Sequence, residues 1–259
     1  MTTTQSIILG AVQGLTEFLP VSSTAHLMLA QHAMGLSTDL HGFDILLHAG
    51  TLIALVICYP REWWSMACSP FNDDKVARRM LWLLILATVP GACAGALFAE
   101  AVTQAMESIQ WLGVQLLINA AFLVIAERHR GVRSRDALAP SDALIIGAAQ
   151  AVALVPGISR SAITIAAARM RSVERRAALD FSFLMATPII AGASVFAASH
   201  IVSGATSIPS LAVIIAGMVA ACVASIAAIR MLRAIVARRS LAIFAWYLVP
   251  LGLLLCVRV

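Results

Sequence analysis

Charged residues are scarce in this chain: only 12% of its 259 residues are Asp, Glu, Lys or Arg, whereas 61% are hydrophobic. The mean hydropathy is +0.91. Runs without any charge occupy 81–99, 108–126, 181–199, 201–229 and 240–257, and a shorter one occupies 45–60. A membrane-spanning helix needs about 20 apolar residues. The composition therefore excludes an ordinary water-soluble domain and predicts an all-α integral membrane protein.

Two further features are absent from the sequence: a basic N-terminal stretch and paired cysteines. The first five residues carry no Lys or Arg, and a secretory signal normally begins with a basic stretch, so we expect the N-terminus to be retained. The five cysteines show neither paired nor metal-type spacing, which predicts free thiols that pack in apolar surroundings.

Lysine and arginine are missing from three connections: around Asp39, between Glu100 and Glu107, and from His200 to Pro209. Sixteen of the eighteen basic residues lie in four other loops, within 61–79, 128–135, 169–176 and 230–239. The positive-inside rule places these four loops in the cytoplasm. It also explains the net charge of +5 without a nucleic-acid partner. Six transmembrane helices are predicted, at 43–60, 80–99, 108–126, 181–199, 209–229 and 241–257.

The chain contains an internal duplication. Residues 10–26 return 137 positions later within 147–164, and each copy has a proline, Pro20 or Pro156, just before a polar cluster. The second copy has basic loops on both sides, so its segment 142–168 must enter and leave the membrane from the cytoplasm. Its length is too short for two crossings, which need about 40 residues. It is therefore predicted to be a re-entrant helix pair, and 5–34 is predicted to be its counterpart from the outer side.

This arrangement predicts a single membrane domain over 1–259, built from an inverted-topology repeat. Repeat 1 covers about 5–126 and repeat 2 about 142–258, each with one re-entrant pair and three spans. Such repeats place a polar site at mid-depth, and non-helical backbone there requires water or surrounding protein. We expect the two tips to meet at a hydrated cavity, with both chain ends on the outer side.

Arg160 is the basic residue that this topology places inside the membrane, where a charge costs about 2.5–3.5 kcal/mol. An anion must compensate it: Glu17 is the natural protein partner and a phosphate the natural ligand. A plain Arg160–Glu17 bridge is one reading. The surrounding hydroxyls favour a diphosphate instead, bound at two helix N-termini. These hydroxyls belong to Ser22, Ser23, Thr24, Ser159, Ser161 and Thr164. For Ser22, Thr24 and Ser161, simple helix capping is an equal alternative.

Two spacings add chemistry to the first copy. His26 lies three residues after Ser23, so both share a helical face, as in an activated nucleophile or a general acid. Gln13 and Glu17, four residues apart, point two oxygens the same way, which suits Mg²⁺ or Ca²⁺ beside a phosphate. Asp44 and His48 are also four residues apart, and with His32 and His41 they are interpreted as supporting or interfacial groups.

The two motifs resemble the signatures of the bacterial undecaprenyl-diphosphatase family, the bacitracin-resistance proteins. The motifs are Gln13-Gly-Leu-Thr-Glu-Phe-Leu-Pro-Val-Ser-Ser-Thr-Ala-His26 and Pro156-Gly-Ile-Ser-Arg-Ser-Ala-Ile-Thr164. The similarity extends over nearly the whole chain. It implies a multi-pass inner-membrane enzyme that removes the terminal phosphate of a polyprenyl diphosphate, with a pocket open to the periplasm and a need for a divalent cation. Membrane lipids and, in a homodimer, a second copy of the chain are the other partners considered.

Carried over by motif position, the resemblance implies roles for seven residues. The acidic pair falls on Gln13 and Glu17, the catalytic serine on Ser23, the histidine on His26, the phosphate-binding serine and arginine on Ser159 and Arg160, and the threonine on Thr164. Gln13 leaves Glu17 as the only carboxylate in the two motifs. Ala25 and Ala162 stand where the family commonly has glycine, so the helices there are expected to approach less closely.

The predicted mechanism is in-line attack on the terminal phosphorus. Ser23 is the preferred nucleophile, Glu17 or His26 accepts its proton, and Arg160 with nearby backbone N–H groups stabilises the phosphoryl oxygens. Direct attack by water, with Ser23 only binding phosphate, is the variant. A translocator of a polyprenyl phosphate, a flippase of the same architecture, is the alternative function.

Overall fold

The computed structural model describes residues 1–36, 40–104, 109–202 and 209–257. The central residues of the three connections that lack Lys and Arg, 37–39, 105–108 and 203–208, lie outside the described residues. The expectations placed on those connections stay predictions.

Within the described residues the fold consists of helices and contains no β-strand. Eleven α-helices are present there: α1 Thr3–Phe18, α2 Ser23–Ala33, α3 His41–Cys58, α4 Pro60–Cys68, α5 Lys75–Gln104, α6 Ile109–Arg128, α7 Pro140–Val152, α8 Arg160–Met170, α9 Arg175–Val202, α10 Leu211–Arg238 and α11 Ala245–Val257. Short 3-10 helices occupy Arg135–Ala137 and Leu241–Phe244. The predicted all-α class is confirmed.

Four of these helices are long and apolar enough to cross a membrane: Lys75–Phe98, Trp111–Arg128, Arg175–Val195 and Leu211–Arg238. They correspond to four of the six predicted spans. A fifth candidate is the bent pair Gly42–Cys58 and Pro60–Cys68, and the predicted span at 241–257 is a shorter apolar segment, Leu241–Val257. The chain is thus a multi-pass membrane protein, and in the part of it that the structure describes four of the six predicted spans are single long helices.

The bend between α3 and α4 is 81°. Tyr59 leaves helical geometry there, with φ −128° and ψ 45°, and Pro60 occupies the first position of α4. Proline suits that position because its missing N–H would have no partner in the first turn. The span predicted at 43–60 therefore ends at Cys58, and the chain continues in a new direction.

The two motif segments each form a pair of short helices. α1 and α2 have 16 and 11 residues, and α7 and α8 have 13 and 11. At 1.5 Å per residue even α1 is only about 24 Å long, less than the hydrocarbon thickness of about 30 Å. Short paired helices are what the re-entrant interpretation requires; their depth and the repeat's inverted topology stay predictions.

The chain divides into two compact units. Unit 1 comprises Met1–Leu19, Ser23–Cys58 and Ala186–Leu232, and unit 2 comprises Pro20–Ser22, Tyr59–Met185 and Arg233–Val259. The core of unit 1 is a cluster of buried side chains from α1, α2, α3 and α10: Leu9, Leu27, Phe43, Leu47 and Ile214.

Equivalent glycines of the duplication allow close helix packing in both units. In unit 1, a Cβ on Gly10 would lie 2.2 Å from the carbonyl oxygen of Gly217 on α10. In unit 2, a Cβ on Gly147 would lie 2.3 Å from the carbonyl oxygen of Ala87 on α5. The first helix of each motif pair thus contacts the backbone of a long helix from the other half of the sequence.

Asp142 anchors the motif helices of unit 2 at the end away from their polar turn. The Asp142 side chain is fully buried. Its Oδ2 accepts hydrogen bonds from Arg133 Nη2 at 2.6 Å and the Ala139 N–H at 2.8 Å, and its Oδ1 accepts from Arg171 Nε at 2.8 Å. The start of α7 is therefore tied directly to the end of α8.

The Asp142 contacts predict a pH-dependent stability. Burial alone would raise the pKa of Asp142, but hydrogen bonds from Arg133, the Ala139 N–H and Arg171 outweigh it and lower the pKa from 3.8 to about 2. A depressed folded-state pKa stabilises the fold above the unfolded pKa, and this stability is lost as the pH falls through the folded pKa. Asp142→Asn should cost about 1–2 kcal/mol at neutral pH. In thermal unfolding in detergent, the difference in stability between the native protein and Asp142→Asn should stay constant down to pH 5 and disappear between pH 4 and 2. A difference unchanged at pH 2 would contradict the lowered pKa of Asp142.

Candidate active site

The first cluster joins the end of α1 to the start of α2 in unit 1. The Ser23 hydroxyl donates a hydrogen bond of 2.8 Å to Glu17 Oε2. Gln13 Nε2 donates to the same oxygen at 3.2 Å. Glu17 and Gln13 are buried, whereas Ser23 is only half-buried. The structure thus brings together three predicted site residues. In this cluster the Glu17 carboxylate accepts a hydrogen bond from the hydroxyl of the half-buried Ser23.

His48 on α3 joins this cluster. Its Nε2 lies 3.5 Å from Glu17 Oε2, and its Nδ1 lies 2.8 Å from the main-chain oxygen of Asp44. Because a carbonyl oxygen only accepts, Nδ1 is the donor in this contact, and Nε2 is the ring nitrogen that faces the Glu17 carboxylate. From the sequence, His48 is interpreted only as a supporting or interfacial group, and its contact with Glu17 is not predicted. Its spacing from Asp44 was the available signal, although Asp44 contacts it through the main chain.

Asp44 itself is held by another buried side chain. Gln31 Nε2 donates to both carboxylate oxygens of Asp44, at 2.8 and 3.0 Å. Gln31 lies on α2, so this contact ties α2 to α3 within unit 1. It supports the interpretation of Asp44 as a supporting group.

The turn before α2 has unusual backbone geometry. Ser22 is buried and has φ +73°, a left-handed conformation that costs a residue with a side chain roughly 1–3 kcal/mol. α2 begins at Ser23, so Ser22, Ser23 and Thr24 lie at or near a helix N-terminus, as predicted. Thr24 and His26 lie in its first turn and are half-buried, so both side chains are partly exposed.

The second cluster surrounds the start of α8 in unit 2. Ser159 is the N-cap of α8, and its hydroxyl accepts a hydrogen bond of 3.3 Å from the Ala162 N–H. The hydroxyls of Ser159 and Ser161 lie 3.1 Å apart. α8 begins at Arg160, again as predicted, and this arginine is half-buried. Helix capping, the alternative role predicted for Ser161, is performed by Ser159.

Ser182 on α9 contacts two residues of this cluster, Arg160 and Thr164. Arg160 Nη1 donates to the main-chain oxygen of Ser182 at 3.4 Å, and the hydroxyls of Thr164 and Ser182 lie 2.7 Å apart. Thr164 also donates to the main-chain oxygen of Arg160 at 2.7 Å. Thr164 and Ser182 are fully buried. Thr164 therefore fixes the first turn of α8, and Ser182 is a second residue that sequence reasoning missed.

The two clusters occupy equivalent places in the duplication but carry different chemistry. α2 and α8 both have 11 residues, and they begin at Ser23 and Arg160, which are 137 positions apart. A half-buried hydroxyl that hydrogen-bonds a carboxylate thus corresponds to a half-buried guanidinium. Each side chain stands at a helix start, where main-chain N–H groups favour anions.

The residues that could hold a divalent cation are Gln13 and Glu17. Gln13 Oε1 is buried and lacks a hydrogen-bond partner, so an acceptor oxygen beside a carboxylate is left for another group. Within the described residues no cluster of three or more His, Cys, Asp or Glu side chains could hold a metal. The donor set fits a hard cation that takes its remaining ligands from water and phosphate oxygens, as Mg²⁺ commonly does.

Comparison with known proteins places the chain in a family. Residues 6–254 match the family model described as bacitracin resistance protein BacA. An undecaprenyl-diphosphatase of Desulforudis audaxviator is 39% identical over 251 residues, covering 96% of this chain and 95% of that protein. One of Pelotomaculum thermopropionicum is 36% identical over 255 residues, covering 98% and 95%. One of Syntrophotalea carbinolica is 40% identical over 247 residues, covering 93% of each. The chain belongs to the BacA family of bacitracin resistance proteins.

Proposed function

We propose that this chain hydrolyses undecaprenyl diphosphate to undecaprenyl phosphate and inorganic phosphate, which recycles the lipid carrier of peptidoglycan synthesis. The proposed substrate is supported by relatives that are named undecaprenyl-diphosphatases and that match this chain over nearly its whole length. The observation that carries the reaction type is the 2.8 Å hydrogen bond from Ser23 to Glu17 Oε2. An accessible hydroxyl whose proton already points at a buried carboxylate is the arrangement of an activated nucleophile.

In the proposed reaction, Ser23 Oγ attacks the terminal phosphorus in line with the bridging oxygen. A bond forms between Oγ and phosphorus while the bond from phosphorus to the bridging oxygen breaks, and undecaprenyl phosphate leaves. Glu17 accepts the hydroxyl proton, a role for which its position favours it over His26. Water then attacks the phosphoserine, which releases phosphate and restores the hydroxyl.

Arg160 supplies positive charge to the phosphoryl oxygens, where negative charge is concentrated during the transfer. Phosphoryl transfer depends mainly on such positioning and charge stabilisation. Ser22, Thr24, Ser159 and Ser161 are proposed to bind the diphosphate around it, and His26 to donate a proton to the leaving oxygen. Thr164 holds the turn that carries Arg160.

A divalent cation is proposed to bind at Gln13 and Glu17. When bound it would supply further positive charge to the diphosphate. The orphaned Gln13 Oε1 supports this assignment, and Mg²⁺ and Ca²⁺ both accept such oxygen ligands.

We place the enzyme in the bacterial inner membrane, with its site open to the periplasm and both chain ends on that side. The concentration of Lys and Arg in four loops supports this orientation. A homodimer remains a candidate assembly.

The test is phosphate release from undecaprenyl diphosphate by the purified protein in detergent, with and without a chelator. We expect release that EDTA suppresses at least tenfold and that added Mg²⁺ or Ca²⁺ restores. Release that EDTA does not change would refute the cation and leave the phosphatase intact. No release under any condition would refute the phosphatase and favour the translocator.

A further inference from the structure

Asn119 lies in the middle of α6, inside the apolar run 108–126, and its side chain is fully buried. Its amide contacts the turn that precedes α8 rather than another side chain. Asn119 Nδ2 donates to the main-chain oxygen of Gly157 at 2.8 Å, and Oδ1 accepts the Ser159 N–H at 2.9 Å. Both partners belong to the Pro-Gly-Ile-Ser-Arg motif.

The turn does not satisfy these two groups by itself. Its internal hydrogen bonds use the N–H groups of Ala153, Leu154, Val155 and Ile158, which donate to main-chain oxygens three residues earlier. The Gly157 oxygen and the Ser159 N–H are the pair that Asn119 binds. Buried main-chain groups of this kind are nearly always paired. The turn therefore requires a neighbouring side chain that can both donate and accept a hydrogen bond, and the amide of Asn119 does both.

The same turn is pressed closely against α6. Gly157 has φ +88°, and a Cβ there would lie 2.8 Å from the Cβ of Gln115, one turn before Asn119. Gly157 and Asn119 therefore act together. Gly157 allows the turn to lie close to α6, and Asn119 fixes the position of the turn along α6 through its two hydrogen bonds.

We propose that Asn119 is a positioning residue for phosphate binding, which acts by fixing the main chain at Ser159 and thereby the start of α8 at Arg160. This inference rests on the proposed roles of Ser159 and Arg160. One consequence is specific: because the Ser159 N–H is committed to Asn119, the diphosphate uses the Ser159 hydroxyl and not that N–H.

The experiment replaces Asn119 by leucine, which keeps its size but loses both hydrogen bonds. We expect kcat/KM for undecaprenyl diphosphate to fall at least tenfold in the fraction that remains folded. Asn119→Ala is the second variant if leucine prevents folding. Ser6→Ala is the matched control, because Ser6 is a fully buried side chain that donates to the main-chain oxygen of Val213, at 2.6 Å, in unit 1; it should lose stability without losing kcat/KM.

A double-mutant cycle separates positioning from a merely structural role. If Asn119 acts by fixing the main chain that carries Arg160, its substitution should change kcat/KM at least threefold less in an Arg160→Ala background. Independent, multiplicative effects, or a kcat/KM for Asn119→Leu within threefold of the native value, would overturn the inference. The proposed site would instead be wrong if Ser159→Ala and Arg160→Ala both retained native kcat/KM.

Discussion

Replacing Ser23 by alanine is expected to lower kcat for phosphate release roughly a thousandfold or more. The Ser23 hydroxyl is half-buried and donates to Glu17 Oε2 at 2.8 Å, and removing it takes away the proposed nucleophile while leaving Glu17 in place. The substitution is small and lies at the first residue of α2, so folding should survive. Phosphate release and thermal unfolding of the purified variant in the same detergent test both statements.

Ser225→Ala is the matched control for Ser23→Ala. Ser225 is also in unit 1, is fully buried, and donates to the main-chain oxygen of Gly14 at 3.3 Å. Losing its hydroxyl should leave kcat within about threefold of native. If Ser23→Ala kept more than a tenth of native kcat, Ser23 would not be the nucleophile.

A trapping experiment distinguishes the nucleophile from a phosphate-binding serine. Acid quenching during turnover of substrate labelled in its terminal phosphate should give a phosphoserine at position 23. A protein that turns over normally but carries no label when quenched would support direct attack by water. In either case Glu17→Gln should lower kcat, because Glu17 is the hydrogen-bond acceptor of Ser23.

The helix starts at Ser23 and Arg160 could be predicted because they follow from local chemistry. Proline ahead of a run of hydroxyl side chains begins a helix, and the duplication gives the same answer twice. The hydrogen bond between Glu17 and Ser23 is equally local, spanning six residues. Gln13 and Glu17, four residues apart, share a helical face as their spacing predicts, whereas the sequence leaves Glu17 and His26 as alternative acceptors of the Ser23 proton.

The supporting residues could not be predicted because they come from distant helices. Asn119 contacts Gly157 across 38 positions, and Ser182 contacts Thr164 across 18. An asparagine in an apolar helix indicates that some partner exists but does not identify it. The pairing depends on how α6, α8 and α9 pack in unit 2, which loop charges and periodicity do not determine.

The bend after Cys58 shows a different limit. Counting apolar residues predicts one span over 43–60, because the count does not register where a proline redirects the chain. Tyr59 is buried and donates to Asp180 Oδ1 at 2.7 Å, and Arg233 donates to the same oxygen. These contacts fix Tyr59, just before α4, to residues of unit 2 that are distant in sequence, and a count of apolar residues cannot predict such contacts.

Replacing Arg160 by alanine should lower kcat by roughly a thousandfold, the lower end of what a charge-stabilising arginine contributes in phosphoryl transfer. Arg160 starts α8 and is half-buried, and its Nη1 donates to the main-chain oxygen of Ser182 at 3.4 Å. Its planar group presents several donors in a fixed fork, which matches phosphate oxygens. The loss should therefore appear in turnover, and thermal unfolding of the purified variant in the same detergent shows how much of the protein remains folded.

Arg160→Lys separates charge from geometry. Lysine keeps the positive charge but loses the fork, so we expect a smaller loss of about ten- to a hundredfold. Arg128→Ala is the control, because Arg128 is an exposed arginine at the end of α6, also in unit 2, and its loss should leave kcat unchanged. Equal losses for lysine and alanine would mean that bidentate geometry alone matters. Native turnover in Arg160→Ala would remove Arg160 from the mechanism and, with it, the assignment of phosphate binding to the second motif.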